Sequence, residues 1–542
     1  MFTRRDFIKA AAATSSLGLS STVRSLTSRR QATSGFFGLH PFVEKHPEAV
    51  FIMRTKVADK TNSEEKRNAG LNFSRSVMVP RGEVDGGMPL THLIPVKPNL
   101  TCRGKWDSMW KEEKTKGVVT DSYFVEGVIE GMKELGLAGS QFSIREVNCP
   151  EDFEIDGYGN PLNGGAGGVA ERTGAEIRDM TKVVGVIDEK DVVWSDVPDG
   201  VYFKKIPHLW PINTPNSWLL NIAKLKAHGM GITLSAKNLQ GTVVHNYQRF
   251  GSGYLWIDMK SEHKISTGLV DIKNSYELHK NIIPRWDKPG SSFNSGIGME
   301  TWVNMTLDNH AVTKPGLNVV EGIYSRDGNG FVRGPGSDGL AQEFLSNIII
   351  FGLNPFYVDN IGHWLAANEP GNFGLFHIAV ERGFAQTIDP HAIPVYEWLT
   401  DGSAQLTPLD DFERTPLMTY YLQRDYNGQT EPYYHLCDEP YEYPQTTAID
   451  EPSGPSAIVL NQNFPNPFNP YTTIEYRLPR AGNVLLEIYN TTGQRIDVLV
   501  DGVCQAGTHM AVWNTGNQAS GIYFYRLQFG SFSELKKMTL VR

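Results

Sequence analysis

The sequence predicts an α/β protein with a largely parallel sheet flanked by helices, followed by a linker and a small C-terminal β-sandwich. Three observations carry this prediction. A strand-like run, a helix-like run and a second strand-like run follow one another across residues 93–147, an order that pairs strands in parallel through a right-handed crossover. Residues 317–322 read as a buried strand that ends in a carboxylate. Beyond residue 456 the pattern changes to short runs with period two, as in Val484, Leu486 and Ile488 against Leu485, Glu487 and Tyr489.

Taken in order, residues 49–53 and 93–97 are the first strands, with a polar loop or helix start at 59–67 between them. Over residues 121–135 the apolar positions Phe124, Val125, Val128, Ile129, Met132 and Leu135 recur at helical spacing. Thr120 or Asp121 would cap that helix and Gly136 would stop it. A strand follows at 142–147. The glycine cluster at 164–168 precedes a helical run over 169–180, but its spacing matches neither G-x-G-x-x-G after a strand nor a Walker loop, so it reads as a flexible loop. Short strands are expected at 183–187, 192–194 and 201–206. Residues 248–301, loose and rich in Gly, Asn, Ser, Trp and Tyr, read as an irregular lid. A helix is expected at 340–345, and residues 348–351 with 356–359 read as a strand and turn that place a carboxylate at an element's end. The resulting boundaries are a leader over 1–34, the α/β domain over 45–400, a linker over 401–455 and the sandwich over 456–542.

The 542 residues suffice for two or three domains, each with its own core. The net charge is −9, and the first 30 residues hold six basic side chains against one acid, so a chain without them would sit near −14. Such an acidic surface excludes nucleic acid as the main partner, since phosphate neutralisation needs a basic face. The opening Thr3-Arg4-Arg5-Asp6-Phe7-Ile8-Lys9, followed by a run of small and apolar residues, reads as a twin-arginine export signal. Beyond it, no window approaches the roughly 18 apolar residues of a membrane span, so the mature chain is expected to be soluble outside the cytoplasm. Twin-arginine export carries folded proteins, often around a cofactor, but which cofactor stays unknown.

The chemistry-bearing stretch is 221–241. One apolar run delivers Lys224, Lys226 and His228 into a glycine turn, and a second delivers Lys237 and Asn238 ahead of Gly241. Interior strands exclude lysine, because burying an unpaired ammonium is costly. Lysines at the ends of apolar runs therefore call for an anion, supplied either by this chain's carboxylates or by a ligand. Lys97 and Asn99 end the 93–97 run, at the strand edge where open parallel sheets bind ligands. Lys226, His228 and Lys237 are the candidate catalytic residues, with His228, which can titrate near neutral pH, transferring a proton. Lys97, Asn99, Asn238 and Gly241 are candidate ligand-binding residues. Glu321 and Asp359 are carboxylates at element ends, suited either to the ligand site or to plain ion pairing. His245 could join His228 on a metal, but no third ligand stands at recognisable spacing, so no metal site is expected.

The pattern K-x-K-x-H at 224–228 with K-N-x-x-G at 237–241 resembles the signature of domain-of-unknown-function family 362. Val96-Lys97-Pro98-Asn99-Leu100, Thr120-Asp121, Asn318-Val319-Val320-Glu321-Gly322 and Asn354-Pro355-Phe356-Tyr357-Val358-Asp359 fit that family in its order. The resemblance covers about residues 45–400 and implies what the domain is; no activity is established for the family in general. Some relatives carry a ferredoxin-like segment, but this chain has four cysteines and no C-x-x-C, so no iron–sulfur cluster is expected.

At the other end, the run from Leu460 to Pro470, then Tyr489-Asn490-Thr491-Thr492-Gly493-Gln494, Ala519-Ser520-Gly521-Ile522-Tyr523 and Lys536-Lys537-Met538-Thr539-Leu540 resemble the type A sorting domain of the type IX secretion system. That domain is related to the Ig-like domain of flagellar hook-assembly proteins. The resemblance implies passage through the periplasm and delivery to the cell surface or medium. The expected partners are thus the twin-arginine translocase, the type IX machinery and an anionic small molecule. The expected function is that of an exported enzyme acting on that anion, or alternatively of a surface protein that binds it without turnover.

Overall fold

The computed structural model describes residues 35–100, 117–146, 154, 156–179, 191–228, 231–244, 269–287, 296–328, 335, 341–419, 439–443 and 458–541, the last without 464–465, 479–481, 505–506, 517 and 531. The chain divides into two units between Tyr443 and Pro444. The expected leader and the strand at 183–187 lie outside the described residues, as do Cys102, Cys149 and Cys437.

The first unit is organised by a ten-stranded sheet. Its strands are β1 (Val50–Arg54), β2 (Ile94–Pro98), β3 (Phe142–Glu146), β4 (Glu176–Asp179), β5 (Leu220–His228), β6 (Gly231–Thr233), β7 (Leu317–Arg326), β8 (Glu343–Gly352), β9 (Val395–Trp398) and β10 (Ala404–Leu406). The spatial order is β10-β9-β1-β8-β7-β5-β2-β3-β4, with β6 folded back on β5. Pairing is parallel from β7 through β5, β2 and β3 to β4. Beyond β7 the sheet is mixed, because β8 runs antiparallel to both β7 and β1.

The helices α1 (Ser63–Val77), α2 (Ser122–Lys133), α3 (Ser235–Asn238), α4 (Gly296–Val312), α5 (Pro355–Leu365) and α6 (Gly374–Glu381) cover the sheet. On one face Phe73, Phe124, Val125, Val128 and Ile129 pack on Ile94, Val96, Leu220, Ile222, Leu317 and Val319. On the other, Val303, Leu307, Phe356, Ile361 and Phe376 pack on Ala223, Leu225, Val320 and Ile350. Each such fully buried side chain contributes about 1.5–3 kcal/mol. α1 and α2 touch backbone to backbone: a Cβ on Gly70 would lie 2.0 Å from Phe124 O, and one on Gly127 would lie 2.0 Å from Arg67 O. Only glycine permits that approach.

Four local expectations are corrected. α5 stands where only a turn was expected at 356–359, because Asn354 caps the amides of Phe356 and Tyr357 and Pro355 opens the helix. β8 begins at Glu343, inside the run expected as a helix, because it pairs along β7 from Arg326 back to Asn318. The helical run at 169–180 is short: Gly174, at φ 77, ends the Val169–Thr173 helix and the chain continues into β4. The stretch expected as a linker from 401 adds β10 to the sheet, and its Leu409, Phe412 and Leu417 join the first unit's core.

The second unit is a sandwich of a three-stranded and a four-stranded sheet. Strands β12 (Tyr471–Leu478), β13 (Gly482–Asn490), β14 (Arg495–Cys504), β15 (Gly507–Asn514), β16 (Gly521–Phe529) and β17 (Phe532–Leu540) match the alternating runs of the sequence, and β11 (Val459–Leu460) adds a short edge. Trp513, Tyr525, Leu486, Ile488, Leu527 and Met538 fill the space between the sheets.

Candidate functional site

In the parallel half of the sheet, β2, β3 and β4 progress to one side, and β5 and β7 return to the other. The strand order therefore reverses between β2 and β5, and a crevice outside their carboxyl ends is the place such sheets hold ligands. The sequence turns polar at that edge. On β5, Leu220 and Ile222 face the α1–α2 core, and two-residue periodicity carries Lys224, Lys226 and His228 along the same face.

Lys97 and Asn238 form the floor. Lys97 Nζ donates to Glu146 Oε2 at 2.6 Å, to Pro98 O at 2.6 Å and to Asn238 Oδ1 at 3.0 Å. Asn238 Nδ2 donates to Lys97 O and to Asn221 Oδ1, and Asn99 Nδ2 donates to Asn238 Oδ1 at 3.1 Å. Asn99 Oδ1 is buried and has no hydrogen-bond partner among the described residues. Gly241 lies directly over the ion pair, its position leaving no room for a side chain. Lys97, Asn99, Asn238 and Gly241 thus come together.

Lys226, His228 and Lys237 form a second group, of mutually repelling bases. Lys226 is buried and donates to Val118 O at 2.6 Å. Burial holds its ammonium well below the usual lysine range, and neighbouring Lys237 adds to this. Lys237, on α3, is only partly buried and makes no hydrogen bond or ion pair among the described residues. Burial, aided by Lys97 and opposed by Glu146, lowers it to about 8. His228 is pushed well below 6.5 by burial, then by Lys237 and Lys226. These surroundings disfavour its protonation, against the expected titration near neutral pH.

Glu321 and Asp359 serve the protein's own framework. Glu321 accepts from Lys224 Nζ at 2.7 Å and from the amides of Asp121 and Ile323 at 3.0 and 2.8 Å. Asp359 accepts from the amides of Ser235 and Ala236 at 2.7 and 2.8 Å, anchoring the start of α3 and so aiming Lys237 and Asn238. Burial raises Asp359 to about 8. Glu146, the partner of Lys97, is the residue that sequence reasoning missed. It ends β3 as Lys97 ends β2, so the same signal marks it.

A surface groove of about 440 Å³ lies elsewhere, lined by Arg67, Leu71, Arg75, Glu130, Lys133 and Glu134 on the outer side of α1 and α2, where Arg67–Glu130 and Arg75–Glu134 pair with each other. The lysine cluster is the more chemical site, because its charges are desolvated and coupled. Among the described residues, no group of three or more His, Cys, Asp or Glu could hold a metal ion, and His245 lies outside them.

The class this defines is an α/β domain with lysines gathered at the carboxyl edge of its parallel strands, and a separate β-sandwich. Residues 94–363 match the family described as Domain of unknown function (DUF362), and residues 462–541 match the Secretion system C-terminal sorting domain. The first match spans Lys97, Asn99, Lys226, His228, Lys237, Asn238 and Gly241, and the second implies the type IX secretion machinery. That tail indicates export to the cell surface or extracellular space. No helix among the described residues is long and apolar enough to cross a membrane. No curated protein matches the chain.

Proposed function

We propose that the DUF362 domain is an exported enzyme that binds a small organic anion in the crevice between β2 and β5. The observation that carries this is Lys237, a cation coupled to Lys226 that lacks any ion pair or hydrogen bond among the described residues. Like charges held together in a desolvated edge are stabilised by an anion that enters between them. Asn99 Oδ1, a buried acceptor without a partner among the described residues, favours an anion that also carries a hydrogen-bond donor. Neutral His228 is the proton acceptor of this reading. The twin-arginine leader would take the folded chain into the periplasm before the type IX step.

A thermal-shift panel of carboxylates and phosphates on the full-length protein tests the site. The expected result is stabilisation by at least one anion, lost in Lys237→Met and Lys226→Met. Equal shifts in parent and variants count against the crevice. A binding protein without turnover is the second reading, favoured by Lys97, Asn238 and Glu321, whose polar groups bond within the protein. Once an anion is found, turnover lost with binding kept in His228→Gln selects the enzyme.

A further inference from the structure

A second cluster of charged side chains lies away from the lysines, where the helix Leu269–His279 meets α4 and α6. His279, the last residue of that helix, stands between two carboxylates. Its Nδ1 faces Glu300 Oε1 and Oε2 of α4, both at 3.0 Å, and its Nε2 faces Glu381 Oε2 of α6 at 2.8 Å. A neutral imidazole carries one N–H, so it could serve one of these carboxylates and would turn a lone pair on the other. Both contacts hold together only when both nitrogens donate, as in the imidazolium. Glu300 is fully buried, and its other side-chain partners among the described residues are neutral: Ser275 Oγ, Trp286 Nε1 at 2.7 Å and Asn304 Nδ2 at 2.8 Å. Ser275, His279 and Trp286 all belong to residues 269–287, so one buried carboxylate gathers that segment onto the domain.

We propose that segment 269–287 is held by a pH-sensitive latch, closed while the His279 imidazolium bridges Glu300 and Glu381 and loosened when that proton leaves. Burial alone would lower His279, but the bonds and charges of Glu300 and then Glu381 raise it above the ordinary 6.5. Of the other groups nearby, His377 on α6 is bonded to Gly371 O, Lys280 pairs with Glu277, and Arg382 is turned to Asp308. Among the described residues, none of these gives Glu300 a substitute cation. Once His279 is neutral, Glu300 is left as a buried charge without its counter-ion, which is costly. The stabilisation is therefore fully present below 6.5 and is lost as pH rises through the raised value. Further along α4, Trp302 Nε1 donates to Gln240 Oε1 at 3.0 Å, next to Gly241, so the latch braces the helix that backs the Lys97–Glu146 pair.

The test follows amide hydrogen–deuterium exchange of the full-length protein from about pH 6 to 9, with rates corrected for the intrinsic pH dependence of exchange. Protection of peptides within 269–287 should fall by up to about tenfold per pH unit above 6.5, while peptides of α2 keep theirs. Glu381→Gln removes one carboxylate at a largely exposed position, so the fall should be smaller and end at lower pH. His279→Gln, neutral throughout, should show weaker protection that no longer varies with pH. Parent protection that stays flat across this range overturns the latch, and so does a fall that Glu381→Gln leaves unchanged.

Discussion

Lys224 and Glu321 meet at 2.7 Å across adjacent parallel strands, and neither side chain reaches solvent. With two backbone amides also on the carboxylate, the pair is complete within the protein. Removing one member leaves the other charged and buried, so Glu321→Ala should cost about 3–5 kcal/mol. Lys224→Met combined with Glu321→Leu should recover part of that loss. Denaturant unfolding reads both, and a Glu321→Ala variant as stable as the parent would sink the pairing.

Gly241 presses on the other ion pair. Gly241→Ala would place its methyl carbon 2.3 Å from Glu146 Oε1 and 2.7 Å from Lys97 Cε. Overpacking of this kind costs about 1–3 kcal/mol. The melting temperature should fall, and any anion that stabilises the parent should bind more weakly. Gly502→Ala, which meets nothing within 4 Å, is the control expected to leave both unchanged.

Anion binding should be strongest below pH 8 and fall as pH rises through that value, because Lys237 sits at about 8 and must be protonated to attract charge. Stability of the unliganded protein moves the other way. Between about 8 and 10.5 the unfolded chain holds a proton that the native state has released, so this residue's contribution to stability rises with pH. Titration calorimetry across that range, with Lys237→Met as reference, would show the idea wrong if the parent's affinity were flat.

Asp359 has the opposite sign. Burial raises it from 3.8 to about 8, so the native state holds a proton that the unfolded chain gives up in between. Its contribution is fully present below 3.8 and is lost as pH rises through about 8. Asp359→Asn should flatten that part of the stability profile. It should also cost about 1–3 kcal/mol, because an amide nitrogen faces one of the two backbone donors. An unchanged profile counts against the assignment.

The sequence announces the parallel strands and α2 clearly, because their apolar periodicities agree with their caps. Asp121, foreseen as a cap, accepts from the amides of Tyr123 and Phe124. α5 was hidden because Phe356, Tyr357 and Val358 favour strands, and only the Asn354-Pro355 pair signalled a helix start. The candidate lysines were legible as misplaced charges. Glu321 was legible as a candidate ion-pair partner, but its match with Lys224, and that of Lys97 with Glu146, follows only from strand order. For the same reason Asp359 looked like a ligand carboxylate, although it holds α3.

Three ion pairs of the first unit, Lys66–Asp121, Lys97–Glu146 and Lys224–Glu321, are closed off from water. Mobile ions cannot enter to weaken them, whereas an anion competing at Lys237 meets a residue that is partly open. Raising ionic strength should therefore loosen a guest long before it loosens its host, and sodium chloride alone should separate the two.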